Sequence, residues 1–189
     1  MFKEIPRIEI DEIVDKAFKN ANKKPHSKKK TMNQIVKEKE SIRVTVAGES
    51  LAESLHKVVD RYPSFDRLPP FTRELIDVIA NIDKLRHNLG AVSFAVNTIN
   101  ALKIEYVKKI RRADTAQEAS GLRRECYGRF ISVVKQIKRN LKYLNDSRDK
   151  LKNLPTINPD LFTIVIAGFP NVGKSSLLTI FNPYSSLIT

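Results

Sequence analysis

The sequence predicts a mostly α fold: an antiparallel helical bundle with long hairpin helices, then the first β-strand, glycine-rich phosphate loop and helix of an α/β domain. Three observations predict it. Apolar residues step by three, four or seven as far as Leu151, the spacing of a helix with one buried face. Two prolines within residues 154–159 (LPTINP) end that pattern. Residues 161–167 (LFTIVIA) then run apolar and β-branched without polar alternation, as a strand covered on both faces does. The expected organisation is a basic helical domain over 1–154, a linker over 155–160 and the start of an α/β domain over 161–189.

A first short helix is expected over 8–22, with Ile10, Ile13, Val14, Ala17 and Phe18 at helical spacing. Asp11, Glu12 and Asp15 lie early in it, where the helix dipole favours negative charge. Residues 23–30 (KKPHSKKK) read as a basic linker. A second helix is expected over 33–61, weakened at its centre by Val44 to Val46 and by Gly48. Tyr62-Pro63 and Leu68-Pro69-Pro70 mark a turn. A short helix over 71–80 follows, with Phe71, Leu75, Val78 and Ile79 expected on its buried side. A long helix over 83–112 buries Leu85, Leu89, Val92, Val96, Ile99, Tyr106 and Ile110. Its partner, expected over 115–154, buries Leu122, Cys126, Phe130, Val133, Ile137, Leu141, Leu144 and Leu151. The short turn between these two makes them an antiparallel pair.

Composition narrows the function classes. Thirty-four Lys and Arg against twenty-one Asp and Glu give +13, and the apolar fraction fits a folded chain. Segment 101–152 holds fifteen basic and six acidic residues, and segment 1–40 holds eleven and seven. These two segments carry the whole net charge. Many solvated lysines would give the same total, but segregation favours a binding face for an anionic polymer. Lone Cys126 excludes an internal disulfide, and it reads as a small buried hydrophobe. Tyr106, Tyr127, Phe130 and Tyr143 read as core or core edge. His26, His56 and His87 show no metal-ligand spacing. The longest strongly apolar run, 162–169, is too short to span a bilayer, and no signal peptide is legible. A cytoplasmic protein without a membrane partner is expected.

Residues 168–175 carry the chemistry. Gly168, Phe169, Pro170, Asn171, Val172, Gly173, Lys174 and Ser175 match G-x-x-x-x-G-K-[ST] in full. Gly168 is expected to let the chain leave the strand where a side chain would obstruct it, and Gly173 to let backbone N–H groups approach phosphates. Successive N–H groups from Asn171 to Ser176 then form an anion nest at a helix N-terminus. Lys174 reaches the β- and γ-phosphates of a nucleotide, and the Ser175 hydroxyl ligates Mg²⁺. The order strand, loop, helix supplies the context the motif requires.

The loop sequence GFPNVGKSS closely resembles the first motif of the translation-factor-related GTPases, in particular their Obg and Nog branches. Upstream, Tyr62-Pro63, the Leu68 to Phe71 segment (LPPF), the Arg123 to Arg129 helix segment (RRECYGR) and the Leu154 to Pro159 segment (LPTINP) are similar to the nucleolar GTP-binding protein family, in its archaeal form. The resemblance covers residues 1–180. It implies an N-terminal helical domain followed by a P-loop GTPase domain, binding of GTP or GDP with Mg²⁺, and a role in assembly of the large ribosomal subunit through contact with rRNA or the pre-large subunit. It also implies, weakly, a monovalent-cation role for Asn171.

A full GTPase domain of this kind needs a switch threonine, a D-x-x-G and an N-K-x-D, and no Asp or Glu follows Asp160. Thr179 and Thr189 lack the context of a switch threonine, and residues 182–189 (NPYSSLIT) do not resemble the family's continuation. The chain is therefore expected to be a truncated start of the GTPase domain, poorly stabilised over its last 30 residues and not competent for hydrolysis. The alternatives left open are a helical RNA- or ribosome-binding module without turnover, and an unrelated P-loop ATPase with a helical leader.

Overall fold

The computed structural model describes residues 2–23, 31–152 and 166–181. The chain divides into two compact units, Met1–Pro155 and Thr156–Thr189. The first contains α1 (Ile10–Lys23), α2 (Met32–Arg61), α3 (Pro70–Ala80), α4 (Ile82–Arg112), α5 (Ala116–Gln136) and α6 (Lys138–Leu151), and the second contains α7 (Lys174–Phe181). No strand occurs among the described residues. Of the expected strand over 161–167, residues 161–165 lie outside the described residues, and Ile166 and Ala167 have no regular structure. Of the expected linker over 23–30, Lys23 instead ends α1, and residues 24–30, His26 among them, lie outside the described residues, as do the expected linker over 155–160 and the tail over 182–189.

The Met1–Pro155 unit is built around α2 and α4, which pack along each other. The valines and glycine that lower helix propensity in mid-α2 do not interrupt it, because that stretch is buried. Val44, Ala47 and Leu51 are fully buried, and Gly48 lies between them. A Cβ on Gly48 would come within 3.1 Å of Lys103 Cδ and 3.2 Å of its Cβ, so α4 packs closely against α2 at this glycine. Tertiary contact overrides local propensity here. From α4, Leu85, Val92, Val96, Ile99, Tyr106 and Ile110 enter the core as their spacing predicts, with Leu89 half-buried.

The hairpin is antiparallel. Tyr106 donates its hydroxyl to Glu125 at 2.5 Å, and Asn140 donates to Asn88 at 2.8 Å, so residue numbers rise on one helix as they fall on the other. At the turn, Thr115 Oγ1 accepts from the Glu118 N–H at 3.1 Å and Glu118 Oε2 accepts from the Asp114 N–H at 2.8 Å. This reciprocal pair satisfies two donors at the α5 N-terminus.

The expected single helix over 115–154 is two helices. Ile137, at φ −89° and ψ 9°, leaves helical geometry and separates α5 from α6. Neither proline nor glycine is involved. Phe130, Val134, Ile137, Leu141 and Leu144 continue the three–four step across the break, so both helices bury one continuous stripe. The buried side of α3 also differs from expectation. Ile76 and Ala80 are buried, whereas Phe71 is 46% and Val78 84% exposed. This short helix is apolar on two sides, and its spacing does not say which side meets the core. Asn81, at φ 47°, joins α3 to α4. Its side chain accepts from Lys84 N at 2.9 Å, while Asp77 Oδ1 accepts from Ile82 N at 2.8 Å.

Helix α6 also anchors the N-terminal segment, where Phe2, Ile5 and Ile8 are buried. Asn145 donates to the Ile8 carbonyl at 2.9 Å and accepts from the Ile8 N–H at 3.3 Å, and Arg148 donates to the Ile5 carbonyl at 2.6 Å. Tyr62 donates to the Leu144 carbonyl at 2.8 Å and Tyr143 to the Ala80 carbonyl at 2.6 Å, tying the Tyr62-Pro63 turn and the end of α3 to α6.

A buried charge cluster joins α2 to α5. Glu40 is 5% exposed and pairs with Arg43 at 2.8 Å and with Arg123. The Arg123 guanidinium lies 5.2 Å from the centre of the Tyr127 ring, which stacks on Phe18 of α1 at 4.4 Å. Tyr127 donates to the Arg43 carbonyl at 3.3 Å. Removing one member of a buried pair leaves the other charge desolvated. Arg123→Ala leaves Glu40 with Arg43 alone and is expected to lower stability by about 2 kcal/mol in urea unfolding, the loss of one charge-assisted contact, whereas removing the exposed Glu53–Lys57 pair leaves the midpoint unchanged.

Candidate functional site

The loop predicted to carry the chemistry lies in the second unit, ahead of α7. Residues 166–169 approach without regular structure, a turn covers 170–173, and α7 begins at Lys174. Asn171 at φ 62° and Gly173 at φ 87° are both left-handed, so the backbone between them curves rather than extends. Such alternation turns successive N–H groups toward one concave side, an anion-binding arrangement. Asparagine tolerates this conformation, and glycine has no Cβ to oppose it. The Leu177 N–H donates to the Gly173 carbonyl at 3.0 Å, closing the first turn of α7. Lys174 Nζ donates to the Phe169 carbonyl at 2.5 Å, so the amine reaches across the loop from the helix start. Gly168 behaves differently from expectation. Its φ is not left-handed, and a Cβ there would meet Val172 Cγ2 at 3.4 Å, an ordinary contact. The loop is otherwise open, with Phe169 81% and Val172 62% exposed.

In the first unit, the basic surplus of 101–152 sorts into two populations. Lys103, Lys109, Arg123, Arg129, Arg148 and Lys152 pair with carboxylates of the same unit. Lys108, Arg111, Arg112 and Arg124 near the hairpin turn, and Lys135, Lys138, Arg139 and Lys142 at the α5–α6 junction, are exposed and form no ion pair among the described residues. The Arg123 to Arg129 segment is largely structural. Arg123 holds Glu40, Tyr127 packs on Phe18, and Arg129 pairs with Glu125 at 3.3 Å while lying over Tyr106 at 5.5 Å. Sequence reasoning missed this role, because the partner Glu40 lies on a different helix.

The description NOG1 N-terminal helical domain belongs to the family model that matches residues 2–158. The chain belongs to the NOG1 N-terminal helical domain family. An uncharacterized protein of Methanocaldococcus jannaschii is 38% identical over 181 residues, which cover 94% of this chain and 51% of that protein. Nucleolar GTP-binding protein 1 of Arabidopsis thaliana is 35% identical over 124 residues, covering 66% of this chain and 18% of the plant protein. The Saccharomyces cerevisiae protein of the same name is 30% identical over 136 residues, covering 72% and 21%. The chain thus spans about half the length of the first of these relatives and about a fifth of the other two.

Other candidates are disposed of by burial. Tyr106 and Phe130 are fully buried, and Tyr127 and Tyr143 lie at the core edge. Cys126 is buried among them. Among the described residues, no cluster of His, Cys, Asp and Glu could hold a metal ion, and no helix is long and apolar enough to cross a membrane. Burial pushes the Cys126 thiol and the Tyr127 hydroxyl each up to about 12, from ordinary values of 9.0 and 10.0. The folded state keeps these protons where the unfolded chain releases them. Their stabilisation is therefore full below pH 9 and is lost as pH rises toward 12. Urea midpoints are expected to fall between pH 9 and 12, and iodoacetamide at pH 8 labels Cys126 only after unfolding.

Proposed function

We propose that this chain is the N-terminal part of a guanine-nucleotide-binding protein acting in large-subunit ribosome assembly. The helical unit contacts rRNA, and residues 168–176 hold the nucleotide phosphates. The observation that carries the reading is the curved backbone from Asn171 to Gly173 leading directly into α7 with Lys174 at its first position. Family membership and the names of the plant and yeast relatives support the guanine preference.

The residues fit a magnesium-bound nucleotide. The backbone N–H groups from Asn171 to Ser176 supply uncharged donors, Lys174 a point charge, and Ser175 a hard oxygen. Ser175 would help to hold Mg²⁺, which would supply positive charge against the phosphates. Lys174 Nζ spends one of its three N–H donors on the Phe169 carbonyl, which leaves the others for a phosphate. Binding of the nucleotide phosphates is the activity assigned to these residues.

The test is titration of a fluorescent guanine nucleotide. Lys174→Ala is expected to weaken binding at least about tenfold, the loss of one charge-assisted contact. GTP hydrolysis by the chain should equal that of the Lys174→Ala control. Equal nucleotide affinity of the two proteins, or turnover that depends on Lys174, contradicts the reading.

A second reading, a helical RNA- or ribosome-binding module without nucleotide turnover, is favoured by one observation. The exposed basic residues without an ion pair named above all lie in the helical unit, which the family match covers. For either reading, affinity for a labelled fragment of large-subunit rRNA should fall steeply between 50 and 200 mM salt, conditions over which phosphate contacts weaken by orders of magnitude. Salt-insensitive or absent binding contradicts both.

A further inference from the structure

We propose that Lys135, Lys138, Arg139 and Lys142 form a ridge that binds the phosphate backbone of RNA without reading its bases. The proposal rests on the RNA-contact reading above and assigns that contact to one surface. Residues 135–142 contain four basic side chains and no acidic one. All four are exposed, and none forms an ion pair among the described residues. Their spacing of three, one and three places them along one face that continues through the α5–α6 break, over about 10 Å of helix. Like charges at this spacing repel and contribute nothing to the fold. The paired cations Lys103, Lys109 and Arg123 show how this molecule treats basic residues that do serve the fold.

The surroundings narrow the partner. The ridge forms one wall of a groove whose other wall is the segment from Arg7 to Asp11. Glu9, Asp11 and Asp146 also line it, and Arg7 is occupied by Glu9 at 3.1 Å and Asp149 at 3.7 Å. Glu9 and Asp11 repel a polyanion from the far wall, while Asp146, one turn beyond Lys142 on α6, bounds the ridge at that end. Asn145 is the groove's amide, and both ends of it are engaged with the Ile8 backbone, at 2.9 and 3.3 Å. Its orientation is set by these two bonds to the chain and not by a ligand. No aromatic side chain lines the groove among the described residues, so bases find no stacking platform. What remains is a row of three lysines and an arginine, suited to phosphates in series. An acidic protein segment is the competing partner class.

The test uses the full 189-residue chain and a fluorescein-labelled 20-nucleotide oligo-U, with an rRNA fragment in parallel, followed by anisotropy across a salt series. A ridge variant replaces Lys135, Lys138, Arg139 and Lys142 by Gln. A control variant removes the same number of charges at Lys108, Arg111, Arg112 and Arg124. A third converts the three ridge lysines to Arg, and helical circular dichroism establishes that each variant is folded. The ridge variant is expected to weaken oligo-U binding at least about tenfold and to lower the salt slope by about two to three, as expected for three or four lost single-strand phosphate contacts. The control should change affinity less than about threefold, because counterion release follows contacts rather than net charge. The arginine variant should bind as the wild type does.

Equal losses in the ridge and control variants, or a loss confined to the control, overturn the ridge while leaving RNA contact by the domain intact. Displacement of a labelled poly-glutamate by neither RNA, with poly-glutamate binding dependent on the ridge, overturns it in favour of an acidic protein partner. Absence of salt-sensitive RNA binding by the wild-type chain overturns the underlying reading and the ridge with it.

Discussion

The Met1–Pro155 unit depends on how closely α2 and α4 approach each other. At Gly48 there is no room for a methyl group without displacing the Lys103 side chain near its root, at Cβ and Cγ. That proximity lets Val44, Ala47 and Leu51 bury completely and seats Val92, Val96, Ile99 and Tyr106 in the same core. The other helices are laid against this pair. Helix α1 packs on α2, α5 packs on both, and α3 and α6 close the end where α4 begins. Lys103 itself is drawn over the contact, with its amine 3.6 Å from Glu49. Packing at interior density makes such a site sensitive to a single added carbon.

Around this contact, polar groups fix the relative placement of elements that apolar burial alone leaves free to slide. The Glu40 cluster pins α5 to α2 and brings Tyr127 onto Phe18 of α1. Tyr62, Tyr143, Asn145 and Arg148 all bond to main-chain atoms, three from α6 outward and one into it. Bonds to backbone hold through side-chain variation at the acceptor, which suits joints between helices. The result separates two uses of positive charge. Arginines at 43, 123 and 148 are structural, and the exposed row at the α5–α6 junction has no ion-pair partner among the described residues.

Much of this architecture was legible in the sequence. The three–four spacing located α1, α2 and α4 to within a few residues and identified the buried stripe of α4. It also ran through α5 and α6, although Leu122 and Val133 are only partly buried and Val134 takes the fully buried position, because it follows burial and not hydrogen bonding; the break at Ile137 leaves the stripe continuous and has no proline or glycine to announce it. The side of α3 was illegible for a different reason. Phe71 and Val78 are as apolar as Ile76 and Ala80, and which pair meets the core depends on contacts from other helices, such as the Tyr143 bond to the Ala80 carbonyl. Gly48 was read as a weakness in α2, since propensity counts a missing Cβ as a cost and says nothing of a neighbouring helix that requires it. The phosphate loop was legible as a pattern because its residue types answer to local backbone demands. Asn171 and Gly173 are left-handed, as their identities permit, but Gly168 is not, so its requirement is not explained by φ. The division of the basic residues into paired and unpaired needed the structure, since their partners lie on other helices.

The α2–α4 contact is tested most directly by comparing Gly48→Val with Gly128→Ala in urea unfolding of the full chain. Gly128 is also within a helix, but a Cβ there meets nothing within 4 Å. Gly128→Ala should therefore raise stability by up to about 1 kcal/mol through helix propensity. Gly48→Val should lower it by about 2 kcal/mol, the usual cost of overpacking a full core. A Gly48→Val protein as stable as the wild type would show that α2 and α4 have room to spare, and would contradict the organisation described for this unit.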